Sequence, residues 1–191
     1  MARVDPLPPD EWSEGMRAAL MAIAPPAGRS PKTSGQRLPR ALNNLGTFAH
    51  HPDLANAYFP FNAYLLHRAT LSDRQRMLLI LRVAALQRSE YLWAVQTLVG
   101  RDIGLSDEEI SGVASGPQAT HWNELEASLL QAADDLVSDG AISAPTWAGL
   151  STELDTRQIL DVIFTIGSYE TLTFMLRSFD LELDDDLQEP R

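Results

Sequence analysis

Cysteine is absent from all 191 residues of this sequence. That absence excludes disulfides, thiolate metal ligands and thiol redox chemistry within the chain. Lysine is almost absent too, since Lys32 is the only one and arginines supply the other basic positions. With a formal net charge of −11, the chain lacks the clustered positive charge that nucleic-acid phosphates require. We therefore expect no nucleic-acid partner.

Metal-binding and membrane motifs are also missing. The four histidines lie at positions 50, 51, 67 and 121 and show neither HxxxH nor HExxH spacing, which a histidine-based metal site would use. No apolar signal-peptide core follows the N-terminus, and no uncharged apolar stretch is long enough to span a bilayer. We expect a cytoplasmic protein with no metal, no cofactor and no membrane partner.

The length and composition fit one globular domain or a compact doubled one. Hydrophobic residues make up 45% of the chain, which is ordinary for a soluble protein with a substantial core. Residues 1–39 contain seven prolines and form an N-terminal arm with one short helix, Glu11–Ile23, capped by Asp10. Ala24–Pro39 shows no apolar periodicity and is predicted to be a loop. Residues 40–184 form the domain, and residues 185–191 form an acidic tail; we expect the chain from residue 181 onward to fray.

The longest uninterrupted helical pattern covers residues 71–98. Ser72 and Gln75 fit a capping box at its start, and neither glycine nor proline follows for 28 residues. Because this length exceeds that of a usual globular helix, we predict two helices with a break at Gln87–Ser89. Polar and aromatic side chains meet at that break, which makes it a candidate site. The alternative is a solvated helix corner.

Further helices are predicted on both sides of this stretch. Their predicted extents are Arg40–Ala49, Leu54–His67, a short helix after Ser106, Asn123–Val137, one from Ser143 and a long one from Asp155. His50 and His51 would lie in the last turn of the first of these, where capping of the helix end is favoured over catalysis. No stretch shows a pattern that predicts paired β-strands, so the predicted fold is all-α.

A weak internal repeat relates the two halves. The segments LSDRQ at residues 71–75 and LDTRQ at residues 154–158 match in type at an offset of 83 residues. Each is followed by a helix that is apolar on most sides, and the alignment places Gln87 opposite Glu170. This pattern predicts a duplicated helical unit.

The ordered motifs resemble the carboxymuconolactone decarboxylase family, which includes the alkylhydroperoxidase D-like proteins. The motifs are PRA at 39–41, HHP at 50–52, LSDRQR at 71–76, ILRVA at 80–84, RSEYLW at 88–93 and GLSDEEI at 104–110. The resemblance covers most of the range from Arg40 to Asp184. It implies an alkylhydroperoxidase D-like helical bundle around an antiparallel hairpin. It also implies a homo-oligomer, whether dimer, trimer or trimer of dimers, with pockets near the subunit contacts.

The usual catalytic residues of that family do not carry over. Its CxxCxxxH motif falls on Ser89, Leu92 and Gln96, and its glutamate falls on Met77. Without a thiolate to attack the peroxide, thiol peroxidase activity is excluded. In the decarboxylase-like branches, YEWxxH aligns with residues 91–96, where Leu92 and Gln96 again replace the proton-transferring groups.

Other residues could form the site in place of the missing catalytic residues. Each of them could instead have only a structural role. The catalytic candidates are Tyr91, Gln96, Tyr169 and Glu170, and the substrate-binding candidates are Ser89, Trp93, Arg88 and His51. Arg76, Arg82 and Arg88 could hold a substrate carboxylate in a two-pronged contact. Alternatively, Tyr169 is a core residue, Glu170 pairs with Arg177, and the arginines pair with surface acids.

Two hypotheses about function follow. The first is an enzyme of lyase or isomerase type that runs cofactor-free, non-redox chemistry on a small organic acid, lactone or polyketide-like molecule. The second is a catalytically inactive family member that binds a ligand or serves assembly. Loss of the proton-transferring residues favours the inactive protein, whereas retention of the polar residues Ser89 and Gln96 favours the enzyme. Of the two hypotheses, we prefer the enzyme.

Overall fold

The computed structural model describes residues 2–24 and 41–187. These ranges contain nine α-helices and two 3-10 helices, Pro9–Glu11 and Asp185–Leu187, and no strand. The helices are α1 (Glu14–Ile23), α2 (Leu42–Phe48), α3 (Pro52–His67), α4 (Asp73–Leu86), α5 (Glu90–Asp102), α6 (Asp107–Ser115), α7 (Glu124–Asp139), α8 (Ala144–Ser151) and α9 (Thr156–Ser178). The predicted all-α fold is confirmed. Apart from Ala24, the predicted loop of the N-terminal arm lies outside the described residues.

Side-chain caps begin most of these helices where the sequence predicts them. Complete capping boxes open α4 at Ser72, α6 at Ser106, α7 at Asn123 and α9 at Asp155. The predicted break is also present, because α4 ends at Leu86 and Ser89 caps α5. The predicted start of the first helix is wrong. Ser13, rather than Asp10, caps α1, since its hydroxyl accepts a hydrogen bond of 3.1 Å from the Met16 N–H.

Helix α4 lies at the centre of the bundle. Its leucines and valine are almost fully buried, at Leu78, Leu79, Leu81 and Val83. It packs against α5, α6, α7 and α9, so it contributes to both clusters of the hydrophobic core. Removal of this much apolar surface from water is the main stabilising contribution in such a fold.

A buried arginine ties α4 to its neighbours. The Arg82 guanidinium donates to both carboxylate oxygens of Asp134 in α7, at 2.5 and 2.8 Å. It also donates to the carbonyl oxygens of Val113 and Ala114 at the end of α6, at 3.0 and 2.9 Å. Arg82 therefore has a structural role.

The two repeats meet at the helices that the sequence pairs. Helices α4 and α9 pack against each other, and each follows a buried leucine, Leu71 or Leu154. The Gln87 amide donates to the Glu170 carboxylate at 3.0 Å, although these residues are 83 positions apart. Contact between equivalent residues of two repeats is what an approximate twofold relation produces. Glu170 thus pairs with Gln87, not with Arg177 as one alternative proposed.

Helix α9 also has the length and mean hydropathy of a membrane-spanning segment. However, 56% of its apolar window is buried inside the protein. Core helices of globular proteins share this property, and α9 contributes Val162, Ile166 and Tyr169 to the main cluster. That packing explains the apolar residues on the buried face of α9.

The chain after α9 does not fray as predicted, at least up to residue 187. Leu181, Leu183 and Leu187 pack against the core. Asp184 is buried, and its carboxylate accepts hydrogen bonds from the Asn43 backbone N–H at 2.8 Å and the Tyr91 hydroxyl at 2.5 Å. This carboxylate joins the end of the chain to the start of α2, a long-range contact that local composition does not reveal.

Candidate functional site

A cavity of about 330 Å³ lies between α2, α3, α4, α5 and α9. Its walls are mainly apolar, and the aromatic and aliphatic side chains include Phe48, Phe59, Met77, Leu92, Val95, Val99, Leu172 and Leu176. The volume falls at the lower end of the range for small-molecule sites in proteins. The cavity is therefore large enough for one small ring compound.

One positive charge lines this cavity. The Arg76 side chain is only 11% exposed, and its Nη2 donates to Asp73 Oδ1 at 2.7 Å, one turn earlier in α4. Both residues line the cavity. A guanidinium carries five N–H donors in a fork, and the bond to Asp73 uses only one nitrogen. Arg76 thus offers a partly desolvated cation to a ligand.

Two tyrosines and an amide line the same cavity as this cation. Burial raises the pKa of the Tyr169 hydroxyl, while hydrogen bonding to Asn62 and the charge of Arg76 oppose that rise in part. Burial likewise raises the pKa of Tyr58, which bonds Ser168 Oγ at 3.1 Å and also interacts with Asn62. Both phenols are therefore neutral near pH 7, where they can donate hydrogen bonds but cannot act as bases.

The α2 side of the cavity has a different polar group. Asn44 lines the cavity, and its backbone N–H donates to the Tyr91 hydroxyl at 3.2 Å. Burial and the adjacent Asp184 carboxylate raise the pKa of Tyr91. The Tyr91 hydroxyl is thus held in a short hydrogen bond to Asp184, which fixes the position of the ring at the cavity wall.

The structure separates the predicted site residues into two groups. Tyr91, Gln96 and Tyr169 line the cavity. Ser89, Trp93 and Arg88 line a shallow surface depression at the α4–α5 break. The Ser89 hydroxyl accepts from the Leu92 N–H at 3.4 Å and caps α5.

The remaining candidates have structural contacts. His51 is exposed at the start of α3, where its Nδ1 accepts from the Leu54 N–H at 3.3 Å. It therefore caps the beginning of α3. The sequence had instead predicted a role for His51 at the end of α2. The His50 ring bonds the Asp5 carbonyl oxygen at 3.0 Å. Glu170 bonds Gln87 and is not among the residues that line the cavity.

Sequence reasoning missed four polar residues of the cavity: Asn44, Tyr58, Asn62 and Asp73. Tyr58 and Asn62 are four residues apart on α3 and so share one face, a signal that was available. Asn44 and Asp73 gave no comparable signal, because their neighbours in the cavity come from distant parts of the chain.

A second and larger cleft, of about 520 Å³, lies at the surface between the N-terminal segment and the end of the chain. Prolines and the acidic run Asp184–Asp186 line it. Its lining includes no cation and no aromatic ring. We therefore prefer the mainly apolar cavity with Arg76 to this cleft as the candidate functional site.

Comparison with known proteins finds one family and several solved structures that resemble the chain. The profile of the carboxymuconolactone decarboxylase family matches residues 52–135, from the start of α3 into α7. The match covers 84 of the 191 residues and supports the assignment to this family. No curated protein sequence matches the chain significantly. In the present chain, Met77, Leu92 and Gln96 line the cavity, whereas Ser89 lies outside it.

Solved structures show the same fold at low sequence identity. An uncharacterised peroxidase-related protein with an alkylhydroperoxidase AhpD core, from Ralstonia eutropha JMP134, is 15% identical with a TM-score of 0.76, covering 97% of this chain and 94% of that chain. The apo debrominase Bmp8 is 12% identical with a TM-score of 0.76, over 96% of this chain and 93% of its own. A cysteine-to-alanine variant of Bmp8 in complex with 2,3,4-tribromopyrrole is 13% identical with a TM-score of 0.73, over 96% and 92%. These likenesses establish the alkylhydroperoxidase D-like fold.

Proposed function

We propose that this protein binds a small organic acid in the cavity and performs cofactor-free, non-redox chemistry on it. The reaction is of lyase or isomerase type: decarboxylation, isomerisation or cyclisation of an acid, lactone or polyketide-like substrate. The observation that carries the proposal is the Arg76 guanidinium, which lines a mainly apolar cavity beside Tyr169. The match of residues 52–135 to the carboxymuconolactone decarboxylase family supports the reaction class.

Arg76 would hold the carboxylate of the acid. A guanidinium binds a carboxylate through two parallel N–H donors. Because apolar side chains form most of the walls, the attraction is stronger than between two charges in water. The hydrogen bond that Nη2 donates to Asp73 Oδ1 fixes the guanidinium in place and lowers the cost of ordering it when a ligand binds.

The phenols would stabilise negative charge that develops on the substrate. Decarboxylation and isomerisation next to a carbonyl both pass through an enolate-like state, whose oxygen accepts hydrogen bonds. Tyr169 stays protonated because its pKa is raised, so it can donate to such an oxygen. Gln96 lines the same cavity and can orient a carbonyl group through its amide.

The Bmp8 complex supports the proposal that the substrate is a small molecule. That protein has the same fold and holds 2,3,4-tribromopyrrole, a small ring compound. The present chain contains no cysteine. A step that needs a thiol therefore cannot be carried out by its own residues, which leaves chemistry that relies on orientation, hydrogen bonding and charge.

A ligand-binding protein without turnover is the alternative. The cavity lining includes one carboxylate, Asp73, which is ion-paired with Arg76. A carboxylate held by a guanidinium is a weak base, because the pairing favours its charged form. This observation favours binding over proton abstraction, so binding and turnover must be measured separately.

A thermal-shift screen of small acids, lactones and aromatic polyketides tests the proposal. A ligand at 100 times its dissociation constant adds about 2.7 kcal/mol to the free energy of unfolding. We expect acids to raise the melting temperature of the wild type and to have little effect on Arg76→Gln. Arg101→Gln is the matched control, since Arg101 is 46% exposed in an ion pair away from the cavity.

Incubation of each hit with the protein, followed by mass spectrometry, separates the two candidates. A product of altered mass or retention that requires the protein supports the enzyme. Binding without a product supports the alternative. If no compound stabilises the wild type, or if Arg76→Gln responds to acids as the wild type does, the proposed site is wrong.

We also propose that the chain forms a homo-oligomer through one face of α3 and α9. Large apolar side chains are exposed on this face at Phe61, Tyr64, Leu160, Phe164 and Phe174. Phe164 and Phe174 are 54% and 52% exposed, and Phe61 contacts Phe164 edge to face. Contiguous apolar patches of this kind mark interaction sites in soluble proteins.

Light scattering after gel filtration tests the assembly. We expect Phe164→Glu to lower the molar mass towards that of one chain, because a charge would be buried without a partner. Trp147→Glu is the matched control, since Trp147 is 49% exposed on α8. A wild-type protein that is monomeric at micromolar concentration would contradict the proposal.

A further inference from the structure

Gly167 is a glycine in the middle of α9 that packing within the described chain does not explain. Glycine destabilises the interior of a helix relative to alanine, so it needs a reason there. At the helical residues Gly46, Gly112 and Gly149, a Cβ atom would come closer than 3 Å to an atom of another segment. At Gly167, no described atom outside its own stretch of helix lies within 4 Å of that position. The space beside Gly167 is therefore open.

Exposed apolar side chains lie on the same face of α9 as Gly167. Leu160, Phe164 and Phe174 are 49%, 54% and 52% exposed, and Thr171 is exposed as well. Leu160 and Phe164 lie 7 and 3 residues before Gly167, whereas Thr171 and Phe174 lie 4 and 7 residues after it. Such spacings place all of them on one face of a helix. The pattern is nearly the same in both directions from Gly167.

A face with this spacing is complementary to a second copy of itself. In an antiparallel pair related by a twofold axis, a residue before the crossing point meets the residue equally far after it on the other copy. Crossing at Gly167 brings Leu160 alongside Phe174 of the partner subunit, and Phe164 alongside the partner's Thr171. Because glycine has no side chain, the two helix backbones can approach each other closely at the crossing point.

The apolar area of this face is of the size that a dimer requires. Phe61 and Tyr64 of α3 lie beside α9 and are 37% and 38% exposed. With a surface of about 150–250 Å² for each aromatic side chain, the four exposed rings supply on the order of 350 Å². A stable interface buries about 800 Å² per partner, of which about 500 Å² is apolar in a homodimer. Leu160 and the half-buried Ile163 and Met175 can supply the remainder.

We propose that two copies of the chain pair through α9, with the two helices antiparallel and crossing at Gly167 on a twofold axis. This inference rests on the homo-oligomer proposed above, since it specifies how two chains meet. The other side of α9 supplies Tyr169 and Leu172 to the cavity. The contact thus supports one wall of the candidate site in each chain.

Disulfide cross-linking tests the arrangement, because the chain contains no cysteine of its own. Position 167 faces itself across the axis, and a disulfide can form where two Cα atoms are about 4.4–6.8 Å apart. We expect mild oxidation to convert Gly167→Cys into a covalent dimer on a non-reducing gel. Leu160→Cys and Phe174→Cys should not link to their own copies, because these lie about 21 Å apart along the helix axis.

Gly167→Leu provides a second measurement that needs no disulfide. No described atom lies beside Gly167, and leucine has the higher helix propensity, so the single chain should fold without loss of stability. At the crossing point the leucine would hold the two helices apart. We expect the Kd of the assembly, measured by analytical ultracentrifugation, to rise about tenfold or more.

Ser111 provides the matched controls for both measurements. It is exposed on α6, which packs mainly against α4. Ser111→Cys reports the rate of linking through random collisions, and Ser111→Leu reports the effect of an added leucine away from α9. Both should leave the assembly as it is in the wild type.

The outcomes distinguish this inference from the proposed homo-oligomer. If the wild type is monomeric, both are overturned. If the wild type assembles, only the present inference is overturned when Gly167→Cys links no faster than Ser111→Cys, or when Gly167→Leu associates as tightly as the wild type. If Leu160→Cys and Phe174→Cys link as readily as Gly167→Cys, the helices are parallel, and the antiparallel crossing is wrong.

Discussion

Replacement of Arg82 by methionine should destabilise the fold strongly, because this guanidinium holds three helices together. The variant loses two charge-assisted bonds to Asp134 and two bonds to the carbonyl oxygens of Val113 and Ala114. Methionine fills a similar volume, so the loss reflects polar contacts more than a cavity.

The magnitude follows from the burial of the pair. Removal of one partner from a buried ion pair costs about 3–5 kcal/mol, because the other charge stays uncompensated. The Asp134 side chain is 23% exposed, whereas that of Arg82 is 10% exposed. Water can therefore solvate Asp134 in part, which places the expected loss near the lower limit, at about 3 kcal/mol. For a chain of this length, that corresponds to a decrease in Tm of roughly 6–12 °C.

Urea unfolding followed by circular dichroism measures this loss. Arg101→Met is the matched control, since its pair with Asp107 is exposed at 46% and 77%, and such pairs contribute at most about 1 kcal/mol. The double variant with Asp134→Leu should recover part of the stability, because no charge is then left unpaired. If Arg82→Met costs no more than Arg101→Met, the guanidinium does not hold the bundle together.

Two further predictions concern the tail and a buried carboxylate. Tyr91→Phe should cost about 1–3 kcal/mol, since it removes the hydroxyl that donates to buried Asp184. Tyr64→Phe also removes a donor to a buried carboxylate, but it should cost less because Tyr64 is 38% exposed and Asp161 keeps two bonds from Thr70. Urea unfolding compares the two variants, and equal losses would refute a role for Asp184 in holding the tail. Burial alone would raise the pKa of Asp135, but bonds from the Ser143 backbone N–H and nearby side chains lower it to about 2. Because the pKa is lower in the folded state, this stabilisation is present above the ordinary carboxyl value of 3.8 and is lost as the pH falls towards 2. Melting curves should show that Asp135→Asn is less stable than the wild type at pH 6 and that the difference shrinks below about pH 4; a constant difference would contradict the shifted pKa.

Local sequence signals predicted the helices well, because those signals are themselves local. Ser72, Ser106, Asn123 and Asp155 each cap a helix through a residue three positions later, so the pattern can be read from four neighbouring letters. The break after Leu86 was predictable in the same way, from the length of the apolar pattern and the polar residues behind it.

The candidate site was less predictable, because its polar groups meet only in the folded chain. The break between α4 and α5 drew attention to Ser89, but its hydroxyl caps α5 outside the cavity. Arg76 was one of three similar arginines, and only tertiary contacts show that Arg82 is engaged by Asp134 while Arg76 lines the cavity. Asn44 lies far from both in sequence.

A crystal structure of the protein with its tightest-binding acid would test the central claim most directly. The proposed site predicts the carboxylate within hydrogen-bond distance of the Arg76 guanidinium, between α3, α4 and α9. A carboxylate bound elsewhere, for example in the cleft beside Asp184–Asp186, with the Arg76 cavity unoccupied, would contradict it.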